Sequence, residues 1–446
     1  MNEFSQGAAL WQGIAAILIF AAAYMLILIE KWNRTYIALG GAAGMLLLGI
    51  IPFKLAWTVY ARWDALLLIL GVFIYTAVFR KSGVVTYIAM KAIHWTKAKP
   101  IPMLLVLSVV SAFGAAALDG VAVIAALIPV TLQLARLYKI TPLPFIIAEM
   151  LACNLGGAAT LTGSMTNRII GTAAGLSFTR FLVIMAPLML LLLVIALTAL
   201  VFIYGKRFIV SEAQRKELLM TNPLSFLRDL TYARACAFAA VLVLAALCFH
   251  SMLGIAPEMI ALGGAFVFMA IHYKEVRDAF VRKDVRGAWK WLESSMLPFF
   301  LGLFIMTGGL VHTGLIGFMA ARALEMTQGS VPLASMIVLG LSALGSATLD
   351  QVPLAAAVSP FIQELGSQLN MDAGSVDPQP LWWALAIGAS IGGGATLIGS
   401  SVNLFAAGLI MREGQSLSFA NYFKIAGPIS MLLLLISFLY VQLILL

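Results

Sequence analysis

Long apolar runs separated by short basic or polar loops leave this chain few folds. The runs lie near residues 9–30, 35–52, 64–80, 143–170 and 179–204, and again near 234–252, 257–272, 295–311, 380–411 and 420–445. Backbone inside hydrocarbon has no water to bond to, so a continuous apolar run of this length reads as a helix. A β-barrel would need apolar and polar residues in alternation. Composition points the same way. Hydrophobic residues make up 62% of the chain, charged residues 11%, and mean hydropathy is +1.01, where a soluble domain carries about 25% charged residues. A cytosolic enzyme, a secreted disulfide scaffold, a disordered protein and a nucleic-acid-binding domain are excluded. The first run follows MNEFSQGAALW, which has no basic n-region. It is longer than a signal h-region, so it is expected to be a retained helix.

Two shorter apolar pieces, 101–137 and 331–366, are each divided by a Gly/Ala-rich or acidic break. Each half is marginal for a full span, which predicts re-entrant helical hairpins. The chain also repeats itself. Leu118-Asp119-Gly120-Val121 recurs as Leu349-Asp350-Gln351-Val352 at an offset of 231, and Leu70-Gly71-Val72-Phe73-Ile74 recurs as Leu301-Gly302-Leu303-Phe304-Ile305 at the same offset. GGAATLTGSMTN (156–167) matches GGGATLIGSSVN (392–403) at 236, and Leu176-Ser177-Phe178 matches Leu417-Ser418-Phe419 at 241. Offsets that change only in small steps mark a duplicated unit. The predicted fold class is therefore an all-α polytopic membrane protein. It has two inverted repeats of five transmembrane helices, each with a re-entrant helical hairpin and a broken helix. The first repeat is 1–204, a cytoplasmic linker is 205–233, and the second repeat is 234–446. Five spans per unit turn the second unit upside down, the plan of secondary transporters.

Basic residues fix the orientation. With the N-terminus outside, 23 of the 28 Lys and Arg fall in cytoplasmic segments, as the positive-inside rule requires. Both termini are then periplasmic. The net charge of +9 reads as these basic loops rather than as a site for an acidic partner. The run 274–290 is basic and partly amphipathic and is expected to lie along the anionic cytoplasmic surface.

Three features carry chemistry. GGAATLTG and GGGATLIG interrupt membrane spans with small and hydroxyl residues. Glycine weakens a helix by about 1 kcal/mol per residue, and two such motifs in matching places predict unwound loops lining a cavity. Packing through small residues is the alternative. Asp119 and Asp350 stand at the breaks of the two hairpins, where they read as ion ligands, as proton carriers or as helix caps. Glu149 is a third intramembrane acid and proton-carrying candidate, and its repeat-equivalent is Leu385. Arg168 can balance an acid, Glu149 among them, or attract an anion. The candidate ion-binding set is Asp119, Asn154, Thr160, Thr162, Gly163, Ser164, Asn167, Asp350, Thr396, Gly399, Ser400, Ser401 and Asn403, and Thr166 belongs to the same polar stretch. Hydroxyl, amide and carbonyl oxygens suit hard cations such as sodium; the same hydroxyls and exposed N–H groups suit an oxyanion. The four histidines (His94, His250, His272, His312) do not cluster. Cys153, Cys236 and Cys248 have no paired spacing and read as packing residues. No P-loop or hydrolytic constellation is visible, so neither an enzyme, a cofactor nor a metal centre is expected.

At these residues the chain resembles the ion transporter superfamily, in the branch of arsenite permeases, NhaD-type sodium/proton antiporters and the P protein. The stretches that carry the resemblance run from Leu118 to Phe178 and from Ala389 to Phe419, with LDQVPLAAAVSP between them. The resemblance implies a site between hairpin tips and broken helices, elevator-like alternating access and a homodimer. Members commonly carry Asp-Asn after the hairpin leucine, where this chain has Asp119-Gly120 and Asp350-Gln351. They commonly carry an acid where Ser164 stands, and an apolar residue where Arg168 stands.

The expected function is secondary active transport in the bacterial inner membrane, with a monovalent cation, sodium first, exchanged for protons by elevator-like alternating access. The alternatives are an anion permease, arsenite-like or carboxylate-like, and a non-transporting sensor or scaffold. The expected partners are a small inorganic ion, protons and lipid, with no nucleic acid. The orientation is checked by fusions at the C-terminus: alkaline phosphatase there should be active in cells and green fluorescent protein dark.

Overall fold

Proline opens the helices that matter most. It sits in the first turn of four of them, where its missing N–H is not needed and its fixed φ suits the helix. These four are the paired arms and broken helices described below. The computed structural model describes residues 10–29, 32–97, 99–138, 140–205, 222–227, 229–249, 253–271, 297–373, 378–412 and 417–445, with single residues at 212, 219, 220 and 273. The described residues are mostly helical, with no strand among them.

Short turns aside, the first half runs α1 Leu10–Ile29, α2 Arg34–Leu47, α3 Trp63–Lys81, α4 Val84–Trp95, α5 Pro100–Ala117, α6 Gly120–Tyr138, α7 Leu143–Ala158, α8 Met165–Ala174 and α9 Phe178–Tyr204. The second half runs α10 Leu230–Cys248, α11 Pro257–Ile271, α12 Leu297–His312, α13 Leu315–Thr327, α14 Val331–Thr348, α15 Gln351–Ala373, α16 Gln379–Ala395, α17 Ser401–Arg412 and α18 Phe419–Tyr440. The two apolar pieces with an acidic break each form a pair of helices in contact, α5–α6 and α14–α15. Their first arms are longer than the sequence suggests. At 18 residues each and 1.5 Å per residue they reach about 27 Å. Among the described residues α5, α9, α10, α14 and α18 are each long and apolar enough to cross a membrane. Both expected broken helices are present too, as α7–α8 and α16–α17.

The helix contacts of one half recur in the other. α5 packs on α7 as α14 packs on α16, and α7 on α9 as α16 on α18. Across the halves, α3 packs on α11 as α12 packs on α2, and α8 on α15 as α17 on α6. Glycine sets the closest of these approaches. A Cβ on Gly156 of α7 would strike the Ala112 carbonyl oxygen of α5, and one on Gly392 of α16 would strike the Ala343 carbonyl oxygen of α14. Backbone here lies directly on backbone, so each hairpin arm and its broken helix form one body. α7 and α16 are buried along almost their whole length.

The described part of the linker rests on α4. Gly83 has φ +77 and faces the Phe226 carbonyl oxygen, while His94 Nε2 lies 3.1 Å from the Leu219 carbonyl oxygen. The basic run 274–290, residues 1–9, His250, His272 and most of the linker lie outside the described residues.

Gly392→Ala forces two backbones apart and should lower stability by about 1–3 kcal/mol. Gly408 has nothing within 4 Å of a Cβ, so Gly408→Ala should be neutral or stabilise by up to about 1 kcal/mol. Melting of the purified proteins in detergent checks the contrast.

Candidate functional site

Between α7 and α8 the chain is unwound over residues 159–164, and between α16 and α17 over 396–400. Unwound carbonyls buried in a membrane protein need donors, and the two loops recruit the same ones. Thr160 Oγ1 donates to the Ala116 carbonyl at 2.6 Å and accepts from Gly163 N at 3.0 Å. Thr396 Oγ1 donates to the Ala347 carbonyl at 2.6 Å and accepts from Gly399 N at 3.0 Å. Asn167 Nδ2 donates to the carbonyls of Gly157 (3.2 Å), Ala158 (3.1 Å) and Thr160 (2.8 Å). Asn403 Nδ2 donates to those of Gly393 (3.2 Å) and Thr396 (2.8 Å). Gly163 and Gly399 are where each loop meets its hairpin. A Cβ there would lie 2.7 Å from the Ala115 carbonyl oxygen and 2.5 Å from that of Ser346, respectively.

The hairpin tips meet the loops. Asp119 Oδ1 accepts from Val121 N at 3.0 Å, and Asp350 Oδ1 from Val352 N at 2.9 Å. Both aspartates therefore cap the second arm of their hairpin, and both also reach beyond it. Asp119 Oδ2 accepts from Arg168 Nη2 at 2.7 Å, in a pair whose side chains are 1% (Arg168) and 14% (Asp119) exposed. Asp350 Oδ2 accepts from Ser401 Oγ at 2.5 Å. Arg168 Nε also donates to the Ser164 carbonyl at 3.2 Å. Ser164 caps α8 by accepting from Asn167 N at 3.1 Å.

The acid that Arg168 pairs with is Asp119. Glu149, which the sequence offered as another partner, is fully buried on α7 and accepts from the Thr131 hydroxyl of α6. Its Oε2 has no hydrogen-bond partner.

Asn154 joins the two halves. Its Nδ2 donates to Asn403 Oδ1 at 2.8 Å and to the Met150 carbonyl at 2.9 Å, and its Oδ1 accepts from Ser400 Oγ at 2.7 Å. Gln351 Nε2 donates to Ser400 Oγ at 3.4 Å and completes the cluster. In the first half Thr162, Thr166 and Asn167 are all fully buried, and Thr166 Oγ1 and Asn167 Oδ1 have no hydrogen-bond partner.

Asp119 and Asp350 at the tips and the loop residues fall on two assemblies that Asn154 of α7 links, while Glu149 lies apart from both, on α7 against Thr131 of α6. Three contributors carry no local signal in the sequence: Gln351, Tyr75 and Tyr422. The hydroxyl of Tyr75 donates to the Ala117 carbonyl at 3.3 Å, and that of Tyr422 to the Gly394 carbonyl at 2.8 Å. Ser390 of α16, at the 236 offset from Asn154, is buried with a hydroxyl that has no hydrogen-bond partner. The tyrosines come from distant helices and leave no local signal.

The model of one protein family, described as citrate transporter, matches residues 24–388. The chain belongs to the citrate transporter family. Transporters of this family are membrane proteins within the ion transporter superfamily, and the chain is a transporter accordingly. It is 34% identical over 434 residues to the uncharacterized transporter Rv2685 of Mycobacterium tuberculosis, covering 96% of this chain and 98% of that protein. It is 32% identical over 412 residues to a 46 kDa membrane protein of Mycobacterium leprae, covering 92% and 93%. The human P protein is 27% identical over 503 residues, which cover 96% of this chain and 59% of that protein. The crystal structure of the Alcanivorax borkumensis YdaH transporter shares the fold, with a TM-score of 0.58 at 13% identity, covering 96% of this chain and 97% of that one.

Removing one member of a buried ion pair leaves the other uncompensated, at a cost of about 3–5 kcal/mol. Arg168→Ala should therefore lower the melting temperature more than the double change Arg168→Ala with Asp119→Asn. A double-mutant cycle on thermal melting measures the coupling.

Proposed function

We propose that this citrate-transporter-family protein is a secondary active transporter of the bacterial inner membrane that exchanges a monovalent cation, sodium first, for protons. The observation that carries the reading is the Asn167 amide. Its nitrogen is committed to three loop carbonyls, which turns Oδ1 away as a buried acceptor with nothing donating to it. A carbonyl oxygen can only accept, so in a dry site a bound cation or a proton-bearing group stabilises it. Thr166, the preceding residue, also has a buried hydroxyl without a partner, and Asp119 is tied to Arg168, the following one; on this reading they supply the remaining oxygens of a set of the kind sodium takes.

Coupling follows from charge. A carboxylate attracts a cation only while it is ionised, so a proton on Asp119 competes with the cation, and Asp350 is a second acid that carries a proton. Arg168 supplies Asp119 with a counter-charge while no cation is bound, and yields that carboxylate when one arrives. Glu149, with its bare Oε2, is the further proton carrier. The two units are inverted repeats of five spans, each with a re-entrant hairpin. The matching hydrogen bonds of the two loops support this reading, and the distribution of basic residues supports periplasmic termini. Each hairpin arm is backbone-packed on its broken helix, which favours movement of that body as a whole, elevator-fashion, in a homodimer.

A second reading has its own support. The family is described as citrate transporter, and Arg168 is a buried cation one residue from Asn167. Under that reading a carboxylate anion takes Arg168 from Asp119.

Proteoliposomes loaded with a pH dye separate the two. Added sodium, lithium or potassium should move protons in the wild type, and Asp119→Asn and Asp350→Asn should each cut that flux at least about tenfold, a loss of about 1.4 kcal/mol. Proton flux that no cation evokes, together with uptake of labelled citrate abolished by Arg168→Gln, would replace the antiporter by the anion carrier.

A further inference from the structure

The two half-sites are built alike and finished differently. Asn167 and Asn403 correspond at the 236 offset, and both commit their nitrogen to loop carbonyls. Their oxygens have opposite fates. Asn403 Oδ1 receives Asn154 Nδ2 at 2.8 Å, whereas Asn167 Oδ1 receives nothing. The same offset carries Asn154 to Ser390, on α16, which packs against α8 as α7 packs against α17. Ser390 is 3% exposed and its hydroxyl has no hydrogen-bond partner. At the tips, Gln351 corresponds to Gly120. Gln351 donates to Ser400. Gly120 offers no side chain, and a Cβ there would lie 2.7 Å from Val402 Cγ2.

We infer that Asn154 is a tethered stand-in for a cation: its amide fills the second half-site with the protein's own donor, so the transporter binds its cation in the first half only. The inference rests on the cation reading above and adds the site and the number of ions to it. An N–H donor and a cation stabilise the same carbonyl lone pairs, and they exclude each other where the space holds only one. Asn154 is fixed there from three directions, by Met150, Asn403 and Ser400. In the first half a short serine stands in its place, and Asn167 Oδ1, Thr166 Oγ1 and Ser390 Oγ are left as buried oxygens without partners. A length difference between one asparagine and one serine thus sets which half is open.

Radioactive sodium binding to the purified full-length protein in detergent tests this, with folding followed by size exclusion and thermal melting. Wild type should bind one sodium per chain. Asn154→Ser should free Asn403 Oδ1 and bind two. The converse change, Ser390→Asn, should place an amide opposite Asn167 and reduce binding at least tenfold. One sodium in both wild type and folded Asn154→Ser overturns the inference and leaves the cation reading intact. No sodium in wild type but one in Asn154→Ser overturns the cation reading for the native chain and upholds the role of Asn154. No sodium in any of the three overturns both. If Asn154→Ser does not fold, Ser390→Asn decides alone: undiminished binding overturns the inference, and lost binding upholds it.

Discussion

Backbone that leaves the helix inside a membrane protein must still bond every carbonyl, and in each half of this chain one asparagine side chain does much of that work. Asn167 and Asn403 each reach back across their own loop to carbonyls released by the end of the preceding helix. A threonine then ties the loop to the hairpin, Thr160 to Ala116 and Thr396 to Ala347. Everything else in the site hangs on these ties. They hold the hairpin tip beside the following helix, and so bring Asp119 to Arg168 and Asp350 to Ser401. They also fix which way each amide points, and with it where an unanswered oxygen remains.

The ion pair of Asp119 and Arg168 gives the first half a different electrostatic character from the second. A buried pair of this kind adds little net stability, because desolvation offsets most of the attraction. Its effect is on geometry. The pair bridges the tip of one hairpin and the helix after the unwound loop, so it senses the separation between them. In the second half the corresponding link is the Ser401 hydroxyl donating to the Asp350 carboxylate, a short neutral donor where the first half has a guanidinium.

Much of this was legible in the sequence, for physical reasons. Apolar runs of membrane length show helices because hydrocarbon leaves backbone no other partner. The duplication showed itself because Leu-Asp at the tips and Gly-Gly-x-Ala-Thr-Leu-x-Gly in the loops serve backbone needs that both halves share. What stayed hidden were the contacts between halves. Nothing local marks Asn154 as the partner of Asn403, since the two are 249 residues apart. The partner of Arg168 was undecided between acids for a similar reason, because only the fold brings the Asp119 tip rather than Glu149 within its reach. The length of the first hairpin arms was underestimated because their Gly/Ala-rich ends look like breaks, yet they continue as helix to Ala117 and Thr348.

The reach of these bonds along the chain also orders events during synthesis. The Asn167 tie closes over seven to ten residues, so the first loop can take its shape as soon as α8 has left the ribosome. Asn154 has no such local answer for its second N–H. It must wait inside the bilayer, bonded to Met150 alone, until α17 is made and inserted. Completing the junction between the two halves is therefore a late step of biogenesis.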